Sequence, residues 1–229
     1  MTFRCEMREP SPRLEESDSA QRCASLGFTS FYLYSPRATG WVAEASRCIC
    51  HRVKQSNALW LPRYAGHVYR TSLRNQQLAS LFARGAVLVP VPGSAASNAA
   101  TWPALQLAVA LKEVGFALPV WPMLRRQVAV RKSSTAPIAA RPSVREHYAS
   151  FCVTASPVGV DRIVLVDDVV TKGRTLLAAA QRLHERLPHA DVRAFALIRT
   201  LGFAPHMDHL IEPSHGSIRW SAGDARREP

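Results

Sequence analysis

The sequence predicts an α/β domain built on a parallel sheet, and three observations carry that expectation. Two stretches, 86–115 and 162–187, repeat the order strand, small-residue loop, helix, and a further apolar strand follows at 191–198. Strands that alternate with helices pair in parallel through right-handed crossovers, with the helices covering the sheet. The 229 residues are 47% hydrophobic and 20% charged, a composition that suits one sizeable core.

Taken in order, residues 1–27 are polar, charged and nearly free of aliphatic clusters, which predicts a disordered or variable segment. The aromatic-rich run FTSFYLYS (28–35) predicts a strand. Trp41, Val42, Ala45, Cys48, Ile49 and Val53 recur at helical spacing, so 41–54 is expected to be a helix, with a less regular one over 64–84. From Ala86, AVLVPVP is a short apolar run ended by prolines, as in a strand buried on both faces. GSAASNAAT follows as a small-residue loop. Thr101 is placed to cap the next helix, Pro103 to start it and Gly115 to stop it. Residues 124–148 are arginine-rich and lack a helical stripe, and loops of that length in a compact domain tend to carry function. The strand RIVLV (162–166), the turn 167–175, the helix 176–187 and the strand DVRAFALI (191–198) complete the pattern. The domain is thus expected over 28–203, with 204–229, rich in Pro, His, Ser and Arg, as a flexible tail.

No apolar run reaches the roughly 18 residues needed to cross a membrane, and the first residues lack the apolar core of a secretory signal. A cytoplasmic protein without a membrane partner is expected. Five cysteines at no framework spacing argue against a disulfide-stapled domain. Lys and Arg outnumber Asp and Glu by 29 to 17, and the net charge of +12 favours anionic partners such as nucleotides, polyphosphates or nucleic acid.

The chemistry concentrates at 167–175. Asp167 and Asp168 end a buried strand, where ligands of open α/β sheets bind. Gly173 lets a ligand approach the backbone, Thr171 and Thr175 offer hydroxyls, and the amides opening the next helix favour an anion. Two carboxylates would repel a phosphate but suit ribose hydroxyls or a hydrated Mg2+. A sugar phosphate satisfies both halves.

IVLVDDVVTKGRT (163–175) resembles the motif with which type I phosphoribosyltransferases bind phosphoribosyl pyrophosphate: four apolar strand residues, two acids, two apolar residues and a small phosphate loop. Within that family the ComF-like competence proteins look nearest, on VPVP (89–92), LRR (124–126), SST (133–135) and REHYASF (145–151). The four-cysteine zinc ribbon of that group is missing, and the loop after VPVP carries GSAASNAAT in place of its basic residues.

The resemblance implies a type I phosphoribosyltransferase fold: a five-stranded, mostly parallel sheet flanked by helices, with a small N-terminal hood. It implies transfer of a phosphoribosyl group to an unidentified nitrogen acceptor, a base or amine, with Mg2+ as cofactor. Asp167 and Asp168 would be the catalytic carboxylates, holding the ribose diol and Mg2+ directly or through water. Thr171, Lys172, Gly173, Arg174 and Thr175 would bind the 5′-phosphate. Arg125, Arg126, Arg131, Lys132 and Arg145, in the loop that closes over the site in the family, are the candidates for pyrophosphate contact. Relatives of this fold are frequently dimers, so a homodimer is an expectation of the same kind. The alternative is a non-catalytic ComF-like module that binds a nucleotide, serves DNA uptake or regulation, and contacts nucleic acid through its basic surface.

Overall fold

In the computed structural model, residues 25–228 are described, apart from 57, 97–100, 133–136, 138–139, 155–158 and 203. The proposed variable segment up to residue 24 and the SST stretch lie outside the described residues, as does part of GSAASNAAT.

The elements run β1 (Ser25–Tyr34), α1 (Trp41–Lys54), α2 (Leu61–Ser72), α3 (Gln76–Leu81), β2 (Ala86–Pro90), α4 (Pro103–Leu111), β3 (Leu124–Arg126), α5 (Val144–Ser150), β4 (Phe151–Val153), β5 (Arg162–Val170), α6 (Arg174–Arg186), β6 (Asp191–Thr200), β7 (Ile211–Ser221) and β8 (Asp224–Glu228). Six of the strands form one sheet in the order β2-β5-β6-β1-β7-β8. β2, β5, β6 and β1 are mutually parallel, with Leu165 opposite Ala194 and Thr29 opposite Phe195. β7 and β8 then add antiparallel.

The expected α/β class holds, but the sheet is six-stranded and mixed instead of five-stranded and mostly parallel. The difference arises in the C-terminal residues. The composition of 204–229 predicts a loose tail, yet 211–228 form the β7–β8 hairpin on the free edge of β1. The hairpin is held by its backbone ladder and by a few apolar contacts, chiefly those of Ile218 and Ala225, both buried. So sparse an apolar pattern carries no local strand signal.

The apolar run of β5 is buried on both faces, as a central parallel strand requires. Val164 and Val166 join Phe31, Phe195 and Leu88 in a core covered by α2 and α4. Ile163 and Leu165 face the opposite core, built largely with Leu176, Leu177 and Leu183 of α6. The expected N-terminal hood is not a separate layer. β1 lies inside the sheet, and α1 packs Ile49, Cys50 and Val53 into the first core. Trp41 was assigned to the apolar stripe of α1 but is 75% exposed, and Cys48 is exposed as well. The helix is rotated so that Ala43 and Ser46 turn inward instead.

Within the arginine-rich stretch, Leu124–Arg126 and Val144–Ser150 form regular elements. β3 and β4 pair as a two-stranded ribbon, Arg125 opposite Cys152, and α5 begins with a capping box between Ser143 and Glu146. Among the described residues, no helix is long and apolar enough to cross a membrane.

Candidate functional site

A cleft of about 760 Å³ opens at the C-terminal end of β5, between α1 and the start of α6. Its floor is the segment 167–175, where the sequence places the chemistry. Gly173 caps α6 in the left-handed conformation (φ 86°, ψ 10°), which glycine adopts without strain. A Cβ there would also lie 2.6 Å from Cδ1 of Ile218 on β7, so the turn is fitted to its support. The first bond inside α6 runs from the Leu177 amide to the Gly173 carbonyl, at 2.9 Å. The amides of Arg174, Thr175 and Leu176 therefore have no intrahelical acceptor, and all three residues line the cleft. Such a terminus is suited to an anion.

The two carboxylates sit differently. Asp167 lines the cleft and accepts the Asp168 amide at 2.9 Å. Burial, then the adjacent Asp168 charge and a hydrogen bond to its carboxyl, push the Asp167 carboxyl well above the usual carboxylate range. Asp168 is paired with Lys54 of α1, Nζ to Oδ2 at 3.1 Å. Burial lowers the affinity of Lys54 for its proton, but the Asp168 charge and hydrogen bond outweigh it, and the Lys54 pKa is raised. A basic residue near the end of a helix ordinarily complements the helix dipole; Lys54 instead reaches across to the β5 carboxylates.

Both basic residues of the turn, Lys172 and Arg174, line the cleft and pair with Asp224. Arg174 donates Nε and Nη2 to Asp224 Oδ1 and Oδ2 at 2.5 and 2.6 Å, and Nη1 to the carbonyls of Arg141 and Pro142 at 3.2 Å. Lys172 reaches the same Asp224 at 3.2 Å. The C-terminal hairpin thus engages both long basic side chains of the turn. Thr171 shares a hydrogen bond with Thr200, 3.2 Å between hydroxyl oxygens, and Thr175 lies 3.4 Å from His147 Nε2. Arg227 of β8 donates to the carbonyls of Val170 and Thr200, tying the hairpin to the strand ends under the loop.

The five candidates for pyrophosphate contact do not gather at the cleft. Arg126 is buried. It donates to the Gly93 carbonyl and the Ser150 hydroxyl, lies 3.1 Å from His147 Nδ1 and stacks on Phe151. Burial lowers its pKa to about 10, opposed by the Asp167 charge. Its partners make it a brace between β3, α5 and the loop after β2. Arg125, Arg131, Lys132 and Arg145 are exposed, and Arg131 donates to the Ala140 carbonyl at 3.1 Å.

Other residues line the cleft that the pattern of the sequence did not single out. Tyr34, Arg47, Cys50 and His51 form the wall opposite the loop, and His147 and Arg141 close its end. The signal for the wall is the spacing 47, 51, 54 on one helix, which puts Arg47, His51 and Lys54 on a common face. His147 is buried, and desolvation and then Arg126 lower its pKa to about 4, leaving a neutral imidazole between Arg126 and Thr175.

Among the described residues, no three His, Cys, Asp or Glu side chains gather as a metal cluster. A divalent cation nevertheless suits the Asp167–Asp168 pair. Burial first and then the Asp168 charge drive Asp167 toward protonation, and a cation would offset the second of these, with ligand or water oxygens completing its coordination. No model of a known protein family matches the chain, and no curated protein matches it.

Proposed function

We propose that the protein binds phosphoribosyl pyrophosphate in this cleft and transfers its phosphoribosyl group to a nitrogen acceptor, as a type I phosphoribosyltransferase-like enzyme. The observation that carries the proposal is the joining, on one strand-turn-helix, of a carboxyl pair to a left-handed glycine turn with open helix amides. A ligand with a diol at one end and a phosphate at the other matches that order.

The 5′-phosphate lies on the amides of 174–176 with Thr171 and Thr175 as hydroxyl donors. Asp167 and Asp168 take the ribose hydroxyls, and Lys54 balances the charge of Asp168. Lys172 and Arg174 contribute a positive potential while their side chains remain on Asp224. In the transfer, the bond from the anomeric carbon to the pyrophosphate oxygen breaks and a carbon–nitrogen bond forms, while the carboxyl pair stabilises positive charge developing on the sugar. Mg2+, held at the Asp167–Asp168 pair, would supply charge neutralisation for the departing pyrophosphate.

Calorimetric titration of phosphoribosyl pyrophosphate with Mg2+ tests the proposal, with free pyrophosphate as control because a chain of charge +12 attracts polyphosphates. Saturable binding that is lost in the Asp167→Asn, Asp168→Asn double variant, and not reproduced by pyrophosphate, supports it. Equal binding of both ligands by both proteins overturns it and leaves general charge attraction.

A further inference from the structure

Resting on the proposed sugar-phosphate site, we infer that the α1 wall of the cleft is a second anion subsite, built by Tyr34, Arg47 and His51, for the group the ligand or acceptor presents beyond the ribose. The cations on the loop and α1 sides of the cleft fall into two sets, apart from Arg141 at its end. Lys54, Lys172 and Arg174 each face a carboxylate: Asp168 for the first, Asp224 for the other two. Arg47 does not. Its Nη1 donates to the Ala38 carbonyl at 2.9 Å, which anchors the guanidinium, and its Nε and Nη2 have no partner among the described residues. His51, one turn further along α1, is exposed at the cleft, and its imidazole has no hydrogen-bond partner among the described residues. Tyr34, at the end of β1, lines the same cleft and completes the set.

A guanidinium fixed by one backbone bond, with its remaining donors open to a cleft, is preorganised for an anion, and Arg is suited to two-pronged contact with phosphate or carboxylate. The subsite lines the same cleft as the proposed phosphate loop and Asp167, on α1 instead of α6. Its ligand is therefore anionic at both ends. The second anionic group is either the diphosphate of the sugar ligand or a carboxylate on the acceptor. Among the described residues that line the cleft Asp167 is the one acid, and the neighbouring Asp168 and Asp224 are each paired with a cation.

The test compares Arg47→Met and His51→Gln with wild type, with ribose 5-phosphate, phosphoribosyl pyrophosphate with Mg2+, and nicotinate added to the ribose 5-phosphate complex as probes. His51 is exposed and its imidazole makes no structural bond, so its variant folds even if Arg47→Met does not. The expected result is ribose 5-phosphate binding within about twofold of wild type in the folded variants, with about a tenfold loss for one of the doubly anionic combinations. Loss confined to phosphoribosyl pyrophosphate assigns the subsite to the diphosphate; loss confined to nicotinate assigns it to an acceptor carboxylate. If wild type binds ribose 5-phosphate and both variants match it with every probe, or lose all probes equally while folded, the subsite is overturned and the phosphate-loop proposal stands. If wild type does not bind ribose 5-phosphate, that proposal fails and the subsite falls with it.

Discussion

Asp224, near the end of the chain, holds Arg174, the first residue of α6, through two parallel hydrogen bonds of 2.5 and 2.6 Å. The pair joins the final strand of the sheet to the loop proposed to bind phosphate. Lys172 adds a third bond to the same carboxylate, so one acid on β8 fixes both long basic side chains of the turn.

Replacing Asp224 by Ala is expected to cost about 1–2 kcal/mol at pH 7, since a two-pronged, half-buried pair exceeds an exposed one. The hydrogen bonds from Arg174 lower the Asp224 pKa to about 2. A carboxyl whose pKa is depressed on folding stabilises above its unfolded value, roughly 3.9, and loses that contribution as pH falls through its folded value. Urea unfolding of wild type and Asp224→Ala should therefore differ at pH 7 and converge toward pH 2. A constant gap across that range would refute the ion pair as the source.

Asp167→Asn should act in the opposite sense. The Asp167 carboxyl binds its proton more tightly in the folded chain, so it opposes folding increasingly as pH rises above the unfolded value. The nearly isosteric Asn variant is expected to be more stable than wild type at pH 7, by up to about 1 kcal/mol, with the advantage gone at pH 3. The same substitution should abolish ribose-phosphate binding, separating function from stability at one residue. Denaturant melts at the two pH values measure the first effect and calorimetry the second.

Gly173→Ala is expected to lose at least about 2 kcal/mol, because the left-handed turn and the contact with Ile218 both disfavour a Cβ. Adding Ile218→Ala should return part of that loss, the overlap, and leave the part due to φ. Thermal unfolding of the two single variants and the double variant gives the coupling; strict additivity would show that the contact is not limiting.

Arg126→Met should destabilise by about 2–3 kcal/mol through the loss of its bonds to Gly93, Ser150 and His147, whereas Arg125→Ala, one residue earlier and exposed, should stay within about 0.5 kcal/mol. His147 adds a pH signature. With its folded pKa near 4, below the unfolded value of about 6.5, it contributes stability above pH 6.5 that is lost as pH falls toward 4. An imidazole resonance that titrates near 6.5 in the folded protein would contradict the buried, neutral ring.

The strand-turn-helix at 162–187 and the helix at 41–54 were legible because each has a strong local pattern: an apolar strand closed by acids and glycine, and an apolar stripe at helical spacing. That Asp167, Thr171, Gly173 and Thr175 share one cleft was legible for the same reason, since a single strand end and turn holds them. Arg126 shows where local pattern ends. One of several arginines in a polar stretch, it is distinguished only by Gly93, His147 and Ser150, which tertiary contact brings to it. β7 escaped detection because its pairing partner, β1, lies at the other end of the sequence and supplies the ladder that its own residues do not advertise. Asp224 followed it out of sight.

The placement of β1 between β6 and β7 also bears on how the chain is made. β1 can take its parallel and antiparallel neighbours only after β6 and β7, more than 150 residues further on, have left the ribosome. Contacts so distant in sequence close large loops and slow the search for the native state. Until then β1 lacks both of its sheet neighbours, and the turn at Gly173 lacks the Ile218 beneath it. Synthesis in the presence of chaperones that shield such intermediates should accordingly raise the yield of folded protein.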